Sequence, residues 1–480
     1  MVDDALWQAL ASRLSDGRSS LLGLWGEASA VHMALYDDRN KSVVVATRDC
    51  PSGRYPSVAR FHPPALRLER ALRDLCGLTP VGLPDARGWL DHGRWGVTAP
   101  LGAAPAQSEQ ATATYSFLPA EGDGLHQIAV GPIHAGIIEP GHFRFTANGE
   151  TIVRLEERLG YAHKGTEALM TGRTLAEAAR LAGRVSGDST VAYAYAFSRA
   201  VEAATGIAPP ARAVWLRGLM AELERLANHL GDIGAICNDA SFALMQANCA
   251  ILRERVLRAA SRCFGHRLMM DRIVPGGVTA DLAPSGAEAL RELIGAVEKA
   301  FPRLVDLYDN TASLQDRTVG AGRVGAALAR QYAAGGYVGR ASGRDFDARR
   351  DLAYPPYDAL TFETPTLEDG DVDARVWIRI REVEQSLSLL VAILDQLPPG
   401  AVATPVPSEA GEGMALVEGF RGDVLVWLRL DGSGRIARCH LRDPSWMQWP
   451  LLEAAIEGNI VADFPLCNKS FNCAYSGCDL

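Results

Sequence analysis

Ala211-Arg-Ala-Val-Trp-Leu-Arg-Gly-Leu-Met-Ala-Glu-Leu-Glu-Arg-Leu-Ala-Asn-His-Leu-Gly-Asp-Ile-Gly-Ala235 is the clearest helical pattern in the chain. Leu216, Leu219, Met220, Leu223, Leu226, Leu230 and Ile233 recur at helical spacing. A stripe this broad must be buried in a bundle. Within it Glu222, Arg225 and His229 stand at i, i+3 and i+7 and share one edge. A charged edge is ordinarily the solvated side of a helix. The same periodicity predicts helices over 174–182, 244–264, 285–299 and 373–396.

Working toward the N-terminus, strands are expected at Gln127–Gly131 and over Phe143–Leu155, around a Gly/Pro-rich loop. Thr98–Thr114 is Pro, Gly, Ala, Ser, Gln and Thr with almost no large apolar side chain, and reads as a linker. Before it, Tyr36-Asp-Asp-Arg-Asn40 and Ser42–Thr47 suggest a hairpin. Leu66, Leu68, Leu72 and Leu75 keep a helical face over Pro64–Cys76, with Gly77 as its stop. Toward the C-terminus, Met414–Glu418 and Asp423–Trp427 read as a strand pair. The expected organisation is α+β: a small α+β domain over 1–97, a linker over 98–114, and a mainly helical domain with peripheral strands over 115–480.

The chain has 480 residues, 48% apolar and 22% charged, with 48 basic against 57 acidic residues for a net charge of −9. That length fits two or three domains, each able to bury a core. The acidic balance and the lack of a basic stripe argue against nucleic acid. The longest apolar candidate, Ser386–Leu394, is half of what a bilayer requires. Met1-Val-Asp-Asp is acidic where a signal peptide is basic, so a cytoplasmic chain is expected. Nine cysteines, an odd and scattered set, read as free thiols, with Cys467, Cys473 and Cys478 crowded into the tail.

Several polar clusters stand out. Gly131-Pro-Ile-His134 to Glu139-Pro-Gly-His142-Phe-Arg144 puts two histidines, a carboxylate and an arginine on one Gly/Pro-rich turn. Such groups can relay protons near neutral pH, although a capped structural turn has the same look. Tyr161-Ala-His163-Lys164-Gly165-Thr-Glu167 repeats the theme. Arg340, Arg344, Asp345, Asp347, Arg349 and Arg350, closing on Tyr354-Pro-Pro-Tyr357, read as a long polar loop, and such loops are often functional. Gly320-Ala-Gly-Arg-Val-Gly325 spells a dinucleotide fingerprint, but the preceding Asn310–Arg317 is polar and supplies no buried strand. The sequons at Asn40 and Asn468 are chance matches in a cytoplasmic chain.

Taken in order, these segments resemble the large subunits shared by respiratory complex I and the energy-converting nickel–iron hydrogenases of the formate-hydrogenlyase or hydrogenase-4 type. Glu69-Arg-Ala-Leu-Arg-Asp74 through Arg87 resembles the signature of the small complex I subunit, here fused at the N-terminus. His134, Glu139, His142 and Arg144 resemble the first motif of the large subunit, and His163-Lys164-Gly165-Thr-Glu167 stands where the family has His-Arg-Gly-x-Glu. Glu222–His229, Gly265–Arg267, Gly276–Val278, Gly339–Tyr357, Gly370–Arg375 and Arg421–Ser445 continue the series. The resemblance implies a hydrogenase-large-subunit-like fold for the helical domain.

The departures bear on the chemistry. In the family's hydrogenases, four thiolates hold nickel and iron, two from R-x-C-G-x-C and two from D-P-C-x-x-C, because such metals need soft sulfur ligands. Here the first motif reads Arg184-Val-Ser186-Gly187-Asp188-Ser189, and the histidine expected next is Tyr193. Aligning the tail on Tyr475-Ser476 places Ala474 and Gly477 at the other two ligand positions. No metal is therefore expected, and no maturation extension beyond Leu480.

What the resemblance then implies is an electron-transfer subunit of a membrane-associated complex, NADH:quinone oxidoreductase-like. It would handle a quinone or similar carrier in a cavity lined by His134, Glu139, His142, His163, Asp188 and Tyr193, with Asp188 as a proton donor. Glu139, Glu167, Glu222 and His229 would relay protons, and Arg340, Arg344, Asp347 and Arg349 would form the cavity rim. Implied partners are a small 4Fe-4S subunit, a ferredoxin-like subunit, and membrane-arm and antiporter-like subunits, with this chain peripheral on the inner face of the cell membrane. The alternatives are a non-catalytic assembly or coupling scaffold and a true hydrogenase subunit. A further reading gives Cys467, Cys473 and Cys478, with His440, a zinc ion or cluster of their own.

Overall fold

The computed structural model describes residues 1–107, 114–135 and 138–480. After a helix Asp4–Ser15, three antiparallel strands, Ser20–Gly26, Ala30–Asp37 and Ser42–Asp49, form a sheet in sequence order. The helix Leu66–Cys76 packs on it where Gly26 has no side chain: a Cβ there would meet Leu72 at 3.0 Å and Cys76 Sγ at 3.1 Å. Gly77 ends the helix as expected, at φ +73°. The Glu69-Arg-x-x-x-Asp74 spacing holds three loops. Glu69 accepts from Ser57 Oγ and the Val58 and Ala59 N–H groups (2.6, 2.8 and 3.2 Å). Arg70 donates to the Arg87 and Gly88 carbonyls (2.8 and 3.0 Å), and Asp74 accepts from Trp89, Leu90 and Asp91 N–H (2.6, 2.9 and 3.3 Å).

Of the expected linker, 108–113 lie outside the described residues. The rest is not wholly irregular, because Val97–Thr98 pairs with Ala106–Gln107. A second sheet follows, Leu125–Val130, His142–Asn148 and Thr151–Arg158. Beyond it lies the helical body. The central helix runs Ala211–Asp239 and packs on Ala243–Phe264, Val372–Gln396 and the tail helix Phe464–Phe471. The helix expected to stop at 299 continues to Asp309 through Pro302, because Phe301, Leu304 and Tyr308 extend its buried stripe. Gly320–Gly325 follows a short helix, Ala312–Thr318, rather than a strand, and Cys467 packs against Gly322.

Two expectations reverse here. The Glu222, Arg225, His229 edge is buried, not solvated. The arginine-rich loop is two short helices, Gly336–Ala341 and Ala348–Asp351, with Arg340, Arg344, Asp347 and Arg349 buried rather than at a rim. The reason is mutual. Arg340 pairs with Glu382, Glu418 and Asp347 (2.6, 3.0 and 3.4 Å). Arg349 pairs with Asp347 and Glu222 (2.7 and 2.9 Å), and Arg225 bridges Glu222 and Glu382 (3.5 and 3.4 Å). His229 Nε2 meets Glu382 at 2.7 Å. Arg344 donates to Ala334 O (3.0 Å) and lies over Phe346.

The C-terminal sheet has three strands, not two: Gly411–Gly419, Gly422–Leu430 and Ile436–Arg442. It faces the N-terminal sheet. Trp25 is stacked between His32 and His440 (5.3 and 4.9 Å), Arg442 donates to Leu22 O (2.6 Å), and Arg438 to Gly26 O (3.1 Å). Glu167 joins this contact, pairing with His440 Nδ1 (2.8 Å) and Arg438 (2.7 Å). Among the described residues no helix is long and apolar enough to cross a membrane.

Two outcomes are expected. Arg340→Met strands Glu382 and Glu418 as buried carboxylates and should cost on the order of 3–5 kcal/mol, read from the urea midpoint. Burial alone would lift the Glu167 carboxyl, but Arg438 and His440 outweigh it and hold it down at about 2. A carboxyl lowered from 4.5 to about 2 contributes stability that is complete above pH 4.5 and lost as pH falls through the folded value. Glu167→Gln should therefore flatten that acid loss relative to the native chain; parallel stability curves over the window would show that the pair contributes nothing.

Candidate functional site

The segment between the helices Leu175–Ala182 and Thr190–Thr205 carries Ser186, Asp188 and Ser189. Both serine hydroxyls donate to Asp188 Oδ1 (2.7 and 3.3 Å). Arg421, in the turn between the first two strands of the C-terminal sheet, grips both Asp188 oxygens (2.7 and 2.5 Å). It also donates to Ser189 Oγ (3.2 Å) and Asn472 O (2.5 Å), tying this loop to the tail. Burial pushes the Asp188 carboxyl up, yet Arg421 outweighs it and holds it below its ordinary range. Asp188 is thus a paired anion in this state, not the proton donor expected.

Tyr193 donates to Asp443 Oδ2 (2.7 Å), and Asp443 Oδ1 accepts from Ser445 N–H (2.8 Å). Burial and the Asp443 charge push the Tyr193 phenol well above 10, so it keeps its proton. Gly477 lies directly on the Asp443 carboxylate, where a Cβ would collide with it, and Ala474 N–H donates to Ser445 Oγ (2.9 Å). Ser186, Ser189, Ala474 and Gly477, the positions that the resemblance gives to thiolates, thus offer two hydroxyls committed to Asp188, a methyl group and a bare backbone, with the Arg421 guanidinium on Ser189. These residues do not fit a nickel–iron pair. The separate tail site is also overturned. Cys467 faces Gly322, Cys473 Sγ lies 3.9 Å from Gln448 Oε1, and His440 belongs to Glu167. Among the described residues no group of three or more His, Cys, Asp or Glu side chains is placed to hold a metal ion.

The expected single cavity is not formed by all six residues named for it. His134 Nε2 bonds Gly141 O (2.8 Å) and His142 Nδ1 bonds Gly131 O (3.3 Å), so both histidines close their own loop. Burial lowers His142, which favours its neutral ring. Residues 136–137 of that loop lie outside the described residues. Glu139 reaches the tail, accepting from Ser476 N–H (3.0 Å). Asp188 and Tyr193 are held as above.

His163 alone of the six borders a cavity of about 290 Å³, walled by Leu75, Trp95, Leu101 and Ala168 and bordered by Lys164, Glu167 and Leu480. Its ring stacks on Trp95 (4.4 Å, 24°), and its Nδ1 bonds Asp479 O at 2.6 Å. A carbonyl only accepts, so Nδ1 carries the proton. Burial lowers the ring below its ordinary value, leaving Nε2 as an acceptor. Lys164 Nζ donates to Arg184 O and Val185 O (3.2 and 2.9 Å), linking the cavity to the Ser186 loop. The Asp479 carboxyl accepts from Gly160 and Ala162 N–H (both 2.8 Å), and burial lifts it to about 7.

The relay residues do not form one chain. Glu222 accepts from Arg349, Tyr357 and Ser386 (2.9, 2.7 and 2.7 Å) and is joined to His229 through Arg225 and Glu382. Glu167 and Glu139 share no partner with that network. Arg421, Asp443, Trp95 and Asp479 were missed from sequence. Arg421 and Asp443 lie inside the Arg421–Ser445 motif, which was the one signal available for them.

Comparison with known proteins bears on this geometry. Residues 241–409 and 402–480 match the family described as respiratory-chain NADH dehydrogenase, 49 Kd subunit, and residues 5–109 match the 30 Kd subunit. Formate hydrogenlyase subunit 5 of Escherichia coli (strain K12) is 32% identical over 94% of this chain and 82% of its own. A subunit of the NADH-quinone oxidoreductase of Dehalococcoides mccartyi is 32% identical over 70% of this chain and 92% of its own. Among solved structures, a chain of the membrane-bound sulfane sulfur reductase, an archaeal respiratory membrane complex, superposes with a TM-score of 0.71 at 26% identity, covering 74% of this chain and 99% of that one. The chain therefore belongs to the family of complex I and hydrogenase-4-type subunits, with segments of the 30 kDa and 49 kDa kinds fused.

Proposed function

We propose that the chain is the electron-transfer subunit of a membrane-bound energy-converting complex and that it passes electrons between a partner's iron–sulfur cluster and a quinone or similar small carrier. The observation that carries this reading is the set of buried acid, phenol and guanidinium groups between the Ser186 loop and the tail, Asp188, Asp443, Tyr193 and Arg421, linked through Lys164 to an apolar cavity with a histidine at its edge. Small-molecule sites combine such walls with a few placed polar groups. The terminal turn Tyr475–Asp479 connects the two, since Gly477 lies on Asp443 while Asp479 O bonds His163 and Leu480 borders the cavity.

In this role His163 Nε2 accepts a hydrogen bond from a reduced carrier or, once protonated, donates one to an oxidised carrier. The Asp479 carboxyl, held near 7, supplies a proton at neutral pH. Tyr193 and Asp443 form a second donor–acceptor pair behind the tail. Electrons would come through a small 4Fe-4S subunit, with ferredoxin-like, membrane-arm and antiporter-like subunits completing the assembly on the inner face of the membrane.

In the purified complex, His163→Gln and Tyr193→Phe should each lower carrier-dependent turnover by about 10²-fold, the scale of a lost general acid or base, with assembly intact. Unchanged turnover in both would leave the chain a scaffold. Stoichiometric nickel in the native complex would overturn the metal-free reading altogether.

A further inference from the structure

Glu224 lies two residues beyond Glu222, about 200° around the central helix, and faces away from the buried ion network. Its carboxyl accepts from Val191 and Ala192 N–H (2.7 and 3.0 Å), at the start of the helix that carries Tyr193. One turn on, Asn228 Nδ2 donates to both Asp188 O and Glu224 O (2.7 and 3.0 Å). Glu224, Asn228 and Asp188 together line a cleft of about 10 Å³, room for about one water molecule. Its other walls are mostly apolar, with Arg253 on the neighbouring helix and Arg267 beyond it as the remaining polar ones, the latter an exposed residue paired with Glu254 (2.8 Å). The cleft therefore runs from the surface to Asp188.

We propose that Glu224 is a proton carrier between solvent and the vacated centre, working through this cleft. The inference rests on the proton-linked chemistry proposed above. In the step, which follows arrival of an electron beside Asp188 and the rise in that carboxylate's proton affinity that the added charge causes, the Glu224 O–H bond breaks, the proton crosses a water in the cleft, and a new O–H bond forms on Asp188. Glu224 then recovers a proton from bulk water through the cleft mouth. No electron moves; the step delivers positive charge to a buried site whose reduction requires it. The geometry separates Glu224 from its neighbours on the same helix. Glu222 is locked to Arg349 and Arg225, whereas Glu224 makes no ion pair with the charged groups around it, Asp188, Arg225, Arg253 and Arg267. Burial, the nearby Asp188 charge adding to it, lifts the Glu224 carboxyl to about 8, so it holds a proton at neutral pH.

Infrared spectroscopy of the purified complex tests this without relying on turnover. The native complex should show a protonated-carboxyl C=O band at neutral pH that disappears as pH rises through about 8 and shifts on transfer to D2O. Glu224→Gln should remove the component that titrates near 8 while leaving those of Asp479 and Glu418, which titrate near 7, and Asn228→Leu, which fills the cleft while keeping the carboxyl, should leave that component but slow its shift in D2O. A native complex without a component titrating near 8, such a component surviving Glu224→Gln, or exchange as fast in Asn228→Leu as in the native protein would each overturn the proposal. Failure of the carrier-reduction reading would look different: no carrier-dependent turnover, with band and exchange intact.

Discussion

Arg340 and Glu382 sit at the centre of a charge cluster that the rest of the molecule is built around. Four carboxylates, Glu222, Asp347, Glu382 and Glu418, face three guanidinia, Arg225, Arg340 and Arg349, all buried. One negative charge is in excess. Burial and the adjacent Asp347 lift Glu418 to about 7, so a proton on that residue comes close to balancing the set. Ions removed from water cost several kcal/mol each unless paired. Every element that supplies a charge is therefore confined to one arrangement: the central helix, Val372–Gln396, the two short helices near Arg340 and the first strand of the C-terminal sheet. Arg225 adds bonds to the Glu418 and Gly419 carbonyls (2.8 and 3.0 Å), which sets the turn from which Arg421 reaches Asp188.

That turn explains how the Ser186 loop and the tail are held together. A metal held by four thiolates would cross-link the Arg184–Ser189 loop to the tail. Here Arg421 makes the same connection, with Asp188 on one side and Asn472 O on the other. Asp443 makes a second, between Tyr193 and the tail at Gly477. A charge-assisted bidentate pair has the directional strength for this. The glycine at 477 follows from it, since any side chain there would displace Asp443.

Much of the fold was legible because its signals are local. The 3.6-residue stripe of Leu216 to Ile233, the Gly77 stop and the hairpin at residues 36–47 each depend on neighbours in sequence. What failed depends on distant partners. The Glu222 edge reads as solvated until Arg349, 127 residues away, and Ser386, 164 away, are brought to it. The strand Ile436–Arg442 was not expected at all, since Arg438, His440 and Arg442 alternate along it with apolar residues and become a buried face only against a partner sheet. In the fold that face lies against Trp25, Leu22 and Gly26 of the N-terminal sheet. For the site, Ser186, Ser189, Ala474 and Gly477 were singled out by the family resemblance and its motif spacing. Arg421 and Asp443 were not, because nothing local distinguishes a guanidinium that fills a former metal site from one at the surface.

The replacement has a consequence for how such a site handles electrons. A thiolate-bound metal can absorb a change of charge by changing its own oxidation state. Asp188, Arg421, Asp443 and Tyr193 cannot; their charges are set by protons. An electron brought beside them adds a buried negative charge that no fixed group nearby neutralises, at a cost of several kcal/mol unless a proton accompanies it. In the proposed role, proton uptake is therefore enforced by burial rather than by a dedicated catalytic metal. The carboxyls lifted toward neutrality by the same burial, Asp479 at about 7 and Glu224 at about 8, are the groups able to supply it. The low dielectric that makes electron arrival costly is also what keeps protons stored beside the site.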